Sequence, residues 1–349
     1  MDSRILSAVL ALAIPIGLGI SAPTSPPLNA GIELSGWQSD LVPQAPGTEP
    51  DAATIPAGVV RIDTALTFQN AQGVGTGVVL TPDGQVLTNN HVVEGATTIT
   101  ATDLASGRTF GADVLGYDRA NDIALVQLRG AGVATAPIGD SSSVSIGEPV
   151  VGIGNAGGAG PSRETGTVTA LDRTVVADDR LTGSSEQLSG LIEITAPLRP
   201  GDSGGPLLNS AGRVIGINAV GTETFEMRST GGFAIPINRA LGIADQIRAG
   251  NGSSGVHVGP SALLGVGVAG GGDGGAQVLQ VVPGSPADQA GIVSGATITR
   301  IGDIATPDAT ALSRALDARR PGDTVAVSYD VPGGQSTTAQ LTLAAGPPG

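Results

Sequence analysis

From about residue 57 onward the chain repeats one local rhythm, a short apolar and β-branched run, a turn, and another run. Gly77-Val78-Val79-Leu80 leads through the turn Thr81-Pro82-Asp83-Gly84 into Gln85-Val86-Leu87-Thr88. The same pattern continues at Thr97–Ala101, Phe110–Leu115, Ile123–Leu128, Val150–Ile153, Thr167–Leu171, Leu191–Ile194, Pro206–Leu208 and Val214–Val220. Many short strands joined by turns predict an antiparallel barrel or sandwich. The 55 glycines and 24 prolines supply the turns that such a fold needs. With aromatics at 2 %, its core is expected to be packed from Val, Ile, Leu and Ala.

The ends of this pattern mark the domain plan. Arg4 and the mostly apolar run Ile5–Ile20 read as a secretory signal over residues 1–30, with cleavage after Ala22 or Ala30. An uncleaved membrane anchor is the alternative. Residues 31–56 read as a flexible Pro-rich arm. Pro236–Arg248 reads as a closing amphipathic helix, with Leu241, Ala244 and Ile247 on one face. Residues 249–258, Ala-Gly-Asn-Gly-Ser-Ser-Gly-Val-His-Val, form a linker by composition, and His257 within them is expected to be solvated.

Charge and cysteine count exclude several chemistries. The net charge of −14 disfavours a nucleic-acid partner and an anionic membrane surface. The chain has no cysteine, so it has no disulfides, no thiol nucleophile and no thiolate metal ligands. Its two histidines are far apart in sequence, which leaves a zinc site almost without ligands. No metal or cofactor is expected.

The run Gly201-Asp202-Ser203-Gly204-Gly205 places a serine between glycines. Such a turn projects a hydroxyl with little steric hindrance and lets neighbouring N–H groups converge. A serine hydrolase needs both: a nucleophile, and donors for the oxyanion, here the N–H groups of Gly201 and Ser203. The serine needs a base. His91, in Thr88-Asn89-Asn90-His91-Val92-Val93, is the candidate. Asp122, opening the run Ile123–Leu128, is the carboxylate expected to orient it, and Asp118 is the reserve. The order His91, Asp122, Ser203 differs from that of α/β-hydrolases and subtilisin-type enzymes. The same glycines also fit the G-x-S-x-G elbow, but Pro206-Leu207-Leu208 reads as strand where an elbow needs a helix. Gly152–Gly157 fits G-x-G-x-x-G without the helix that motif requires.

These three segments resemble the His, Asp and Ser motifs of trypsin-like HtrA (DegP-type) proteases, closest to the PepA-type secreted proteases of actinomycetes. The resemblance covers roughly residues 57–346. It implies two six-stranded barrels over residues 57–248, with His91 and Asp122 in the first and Ser203 in the second. It also implies a PDZ domain over residues 259–346, from the match of Ser285-Pro286-Ala287-Asp288-Gln289-Ala290-Gly291-Ile292. Leu264, Gly265 and Val266 would form its carboxylate-binding loop, and Ala309–Ala318 a helix. Substrate would pair with Ala219-Val220-Gly221, and Leu198 and Val220 would line a pocket for aliphatic residues, with no acid at its base near Pro197.

HtrA proteases more often carry Asn where this chain has Asp202, and trypsin carries Asp. We expect Asp202 to be solvated or paired with Arg163 or Arg199. The implied function is a secreted or envelope serine endopeptidase acting on unfolded polypeptides, with C-terminal peptides as PDZ partners. Trimers are common in the family, but the N-terminal region offers only Trp37 and Phe68 for one. A protease-like chaperone or peptide-binding protein working through the PDZ domain is the alternative reading, and a secreted structural protein is another.

Overall fold

The structure, a computed structural model, describes residues 55–130, 132–156, 160–179, 184–220, 225–227, 232–253, 255–269 and 274–348. The expected signal and nearly all of the arm, Trp37 included, lie outside them. Among the described residues no helix is long and apolar enough to cross a membrane.

Six strands build the first barrel: β1 (Val59–Leu66), β2 (Ala71–Val79), β3 (Gln85–Thr88), β4 (Thr98–Asp103), β5 (Thr109–Asp118) and β6 (Ile123–Leu128), with the short helix α1 (Asn90–Val93) between β3 and β4. They pair in the order β5-β4-β1-β2-β3-β6, and β6 pairs back to β5. Closure leaves an open edge at the far end of β5, beyond its pairing with β4. Alternation sets the faces: in β1 Val60, Ile62, Thr64 and Leu66 are buried and Arg61, Asp63 and Ala65 are not.

The second barrel uses β7 (Pro149–Gly154), β8 (Ser162–Asp179), β9 (Ser184–Ile194), β10 (Pro206–Leu208) and β11 (Val214–Ala219). After β12 (Phe225–Met227), β13 (Gly232–Pro236) completes it. The order is β8-β7-β10-β11-β13-β9, closed by β8 against β9, with β12 added outside β8. Thr167–Leu171 is therefore one part of an 18-residue strand. That strand stays paired to β9 by shifting register at three places. Helix α2 (Ile237–Arg248) follows, burying Ile237, Ala240, Ile243, Ala244 and Ile247. Leu241 is only partly buried, so the apolar face is turned slightly from the one expected.

Next comes β14 (Val256–Val258), then β15 (Ser261–Leu263), β16 (Val266–Ala269), β17 (Ala276–Val281), α3 (Pro286–Gln289), β18 (Thr297–Ile301), β19 (Ile304–Ala305), α4 (Ala309–Asp317), β20 (Thr324–Val331), β21 (Gln335–Thr342) and β22 (Ala344–Gly346). The sheet β16-β17-β18-β20-β21 and α4 close on their own core, which includes Leu264, Ile298, Leu312 and Val327.

The segment read as a linker is not loose throughout. β14 adds to β5 of the first barrel, pairing Val256 with Asp118 and Val258 with Gly116. His257 is 6 % exposed, not solvated, and stacks on Tyr117 with ring centroids 4.9 Å apart. Ala53–Gly349 is one compact unit.

Candidate active site

His91 stands in the first turn of α1, where N–H groups have no partner within the helix. Asp122 supplies one: its Oδ1 accepts the His91 backbone N–H at 3.0 Å. The same carboxylate faces the ring, with Oδ1 and Oδ2 at 3.0 and 2.9 Å from Nδ1. Both side chains are nearly dry, 5 % and 2 % exposed. A carboxylate at Nδ1 holds the proton there, which makes Nε2 the basic nitrogen.

Asp122 reaches this position through an unusual backbone. Its φ is 51°, the left-handed region that Asp tolerates better than most residues. The Asp122 N–H donates to the Arg119 carbonyl at 3.0 Å, and Asn89 Nδ2 donates to the Asp122 carbonyl at 2.9 Å. Asp118, the reserve candidate, has another task. Its carboxylate accepts the backbone N–H and the Nδ2 of Asn121 at 3.0 and 2.8 Å, shaping the turn that presents Asp122. Burial pushes the Asp118 carboxyl above its ordinary range.

Ser203 is brought to the same place from the second barrel. Its carbonyl accepts the Thr76 N–H at 2.8 Å, and Thr88 Oγ1 donates to the Thr76 carbonyl at 2.7 Å. Thr88 lies three residues before His91. A Cβ on Gly204 would fall 2.1 Å from the Thr76 carbonyl oxygen, so only glycine permits this approach. The hydroxyl is less accessible than expected. Ser203 is 1 % exposed, and Oγ donates to the Val220 carbonyl at 3.2 Å. The glycines that free the turn also let it press between the barrels.

Arg199, Pro200, Gly201 and Asp202 form a turn closed by Asp202 N–H donating to the Arg199 carbonyl at 2.9 Å. Pro at the second position and Gly201 with φ +102° at the third fit a type II turn. Among the described residues neither Gly201 N–H nor Ser203 N–H donates to a protein acceptor. The Gly201 carbonyl points the other way, accepting from Thr76 Oγ1 at 2.7 Å and Asn155 N–H at 3.3 Å. Asp202 is neither solvated nor paired with an arginine side chain, contrary to expectation. It is buried against Ser162 and the backbone N–H of Arg199, while the Arg199 guanidinium pairs with Glu164.

Leu198 is half-buried against the second-barrel core, Ala219 ends β11, and Val220 follows it. Gly221 lies outside the described residues. A cleft of about 510 Å³ beside Leu198 includes Pro197 and Gly232 in its lining. Glu193 also lines this cleft, and Arg173 pairs with that carboxylate at 2.9 Å; Val220 is not part of the lining.

In the other site, Leu264 is buried and Gly265 has φ +89°. Their carbonyls accept N–H groups from Ala287 and Val282, both at 2.9 Å. Because a trans peptide points its N–H opposite its C=O, the N–H groups of Gly265 and Val266 turn away from those partners.

Thr76, Thr88, Asn89 and Ser162 were missed. Thr88 and Asn89 carried a local signal, the run Thr88-Asn89-Asn90-His91, and Thr76 and Ser162 carried none. Among the described residues no group of three or more His, Asp or Glu could hold a metal ion.

A family model described as a trypsin-like peptidase domain matches residues 75–217, and one described as a PDZ domain matches residues 262–342. Serine protease PepD of Mycobacterium tuberculosis is 32 % identical over 97 % of this chain and 77 % of its own length. Serine protease Do-like HtrA of Lactococcus lactis is 32 % identical over 77 % of this chain and 70 % of its own. The solved serine endoprotease from Yersinia pestis is 27 % identical, covering 83 % of this chain and 94 % of its own, with a TM-score of 0.46.

Proposed function

Because the chain belongs to the HtrA/DegP family of trypsin-like serine endopeptidases with a PDZ domain, we propose that His91, Asp122 and Ser203 are its catalytic triad and that unfolded polypeptides are its substrates. The observation that carries this reading is the dry pairing of both Asp122 carboxylate oxygens with His91 Nδ1. Such a pair serves a base that must take up a proton and hold it.

Ser203 Oγ leaves the Val220 carbonyl by rotation about χ1, passes its proton to His91 Nε2 and attacks the scissile carbonyl. Catalytic hydrogen bonds often form only once substrate is bound. The N–H groups of Gly201 and Ser203 receive the oxyanion. The imidazolium, held by Asp122, then protonates the leaving amine, and water repeats the cycle on the acyl-enzyme.

Substrate pairs with the segment Ala219-Val220-Gly221, and Leu198 and Val220 favour an aliphatic residue before the cut. Gly265 and Val266 offer N–H groups to a peptide C-terminus, with Leu264 setting their backbone and the edge strand β16 open for strand addition. Relatives named as periplasmic DegP-like endoproteases support a place outside the cytoplasm. The test is labelling by a fluorophosphonate and hydrolysis of an unfolded protein by the intact chain and by Ser203→Ala. The variant is expected to lose all labelling and about 10⁶-fold in kcat. Near wild-type turnover by Ser203→Ala would overturn the triad.

A further inference from the structure

Among the described residues, the buried carboxylate at position 202 is held only by neutral groups. Asp202 is 1 % exposed, and among the described residues no cation pairs with it. One oxygen accepts the backbone N–H of Arg199 at 2.9 Å, and the other accepts the Ser162 hydroxyl. Ser162 Oγ is itself aimed by the Ala156 N–H, which donates to it at 3.1 Å.

These bonds act on one turn. The Arg199 carbonyl already accepts the Asp202 N–H, so both backbone polar groups of Arg199 are tied to Asp202. Pro200 and Gly201 are left between fixed ends. A four-residue turn with Pro-Gly at its centre has two low-energy forms, type I and type II, which differ by a flip of the central peptide. That flip exchanges the Gly201 N–H with the Pro200 carbonyl. A turn whose ends drift holds neither form, and the N–H of Gly201 no longer meets that of Ser203 at one point. Ser162 joins the clamp to the second barrel, since it opens β8 and Ala156 follows β7.

We propose that Asp202 and Ser162 are positioning residues that hold the oxyanion turn, acting by hydrogen-bond geometry and not by charge pairing. This rests on the reading of Gly201 and Ser203 as oxyanion donors. An amide at 202 can still accept from Arg199 N–H and can donate its Nδ2–H to Ser162 Oγ, so asparagine keeps both contacts. Alanine keeps neither.

The test compares Asp202→Ala, Asp202→Asn, Ser162→Ala and the double variant Asp202→Ala/Ser162→Ala in the full chain. The readouts are the fluorophosphonate labelling rate, kcat and KM on a peptide substrate, and melting temperature. Loss of one oxyanion donor costs about 10²–10³-fold in kcat. Asp202→Ala is expected to slow labelling and kcat by about 10²-fold with KM unchanged, a cost set by that donor. Asp202→Asn is expected to restore the rate to within about tenfold of wild type, and Ser162→Ala to slow it by about tenfold. The double variant is expected to be no slower than Asp202→Ala, because Ser162 acts through Asp202. Labelling by Asp202→Ala at the wild-type rate, or a rise in KM with kcat intact, overturns the proposal. Should Asp202→Ala fail to fold, Ser162→Ala decides alone: slowed labelling supports the clamp and unchanged labelling refutes it. Ser203→Ala is the separate control: it keeps the backbone N–H at 203, so continued labelling there refutes Ser203 as the nucleophile, and with it the site this turn is read to serve.

Discussion

At the scale of single residues, Asp122 concentrates the demands of the site. Its carboxylate caps α1, faces the imidazole with both oxygens, and projects from a left-handed backbone that few other side chains accept. An amide of the same shape separates these tasks. In Asp122→Asn the remaining oxygen accepts the His91 backbone N–H, and the Nδ2–H then faces Nδ1 as a donor. The ring must take its proton on Nε2, where it can no longer act as base. We expect kcat to fall about 10⁴-fold, as a mis-set tautomer does in a serine protease triad. KM and melting temperature should hardly move. Steady-state kinetics check this, and a loss of less than tenfold would remove Asp122 from the base assembly. The sequence ranked Asp122 above Asp118 because Asp122 opens an apolar run. No sequence pattern marks the left-handed turn or the grip of Asn121 on Asp118, which separate the two in space.

Whole elements were legible where burial alternates between turns. β6 and β10 match their expected spans, and α4 differs by one residue. β1 was overlooked although it alternates well and the turn residues Pro56 and Gly58 precede it. β14 was misread because Val256-His257-Val258 is three residues among Gly and Ser, too short for any period. Its partner is distant in sequence: β5 accepts it because Gly116 leaves space. A Cβ at 116 would fall 2.4 Å from the His257 carbonyl oxygen and 2.9 Å from Ile247 of α2. Gly116→Ala should therefore lift β14 off β5 and cost about 1–3 kcal/mol, the usual penalty of overpacking. Denaturant unfolding measures the loss, and hydrogen exchange at 256–258 locates it. Adding Ile247→Ala should recover little, because the nearer obstacle is backbone. Wild-type stability in Gly116→Ala would show that β14 docks elsewhere.

At the scale of the molecule, β14 carries the chain from protease to PDZ domain, and the C-terminal end of α4 docks beside it. Tyr117 OH donates to Asp317 Oδ1 at 2.7 Å, and Arg119 Nε lies 3.4 Å from Asp317 Oδ2. His257 Nδ1 lies 2.9 Å from the Asp317 carbonyl. Burial pushes the Tyr117 hydroxyl far above its ordinary pKa, so it remains a donor across the working pH range. Arg119 also pairs with Glu94, the residue that follows α1, and its carbonyl accepts the Asp122 N–H. The dock thus borders the triad without entering it. Tyr117→Phe keeps the stacked ring and removes only the donor. A partly exposed carboxylate oxygen then loses its donor, at a cost of about 1 kcal/mol. That cost falls on the dock and spares both cores. Calorimetry should therefore resolve a separate, earlier PDZ transition, and proteolysis within 249–255 should quicken. Cleavage of a short peptide should keep its kcat, because the contacts of Asp122 are with His91, Asn89 and the Arg119 backbone. A single unshifted transition would mean that β14 alone joins the two domains. A fall in kcat would mean that the dock and the triad share one equilibrium, with Arg119 as the residue common to both.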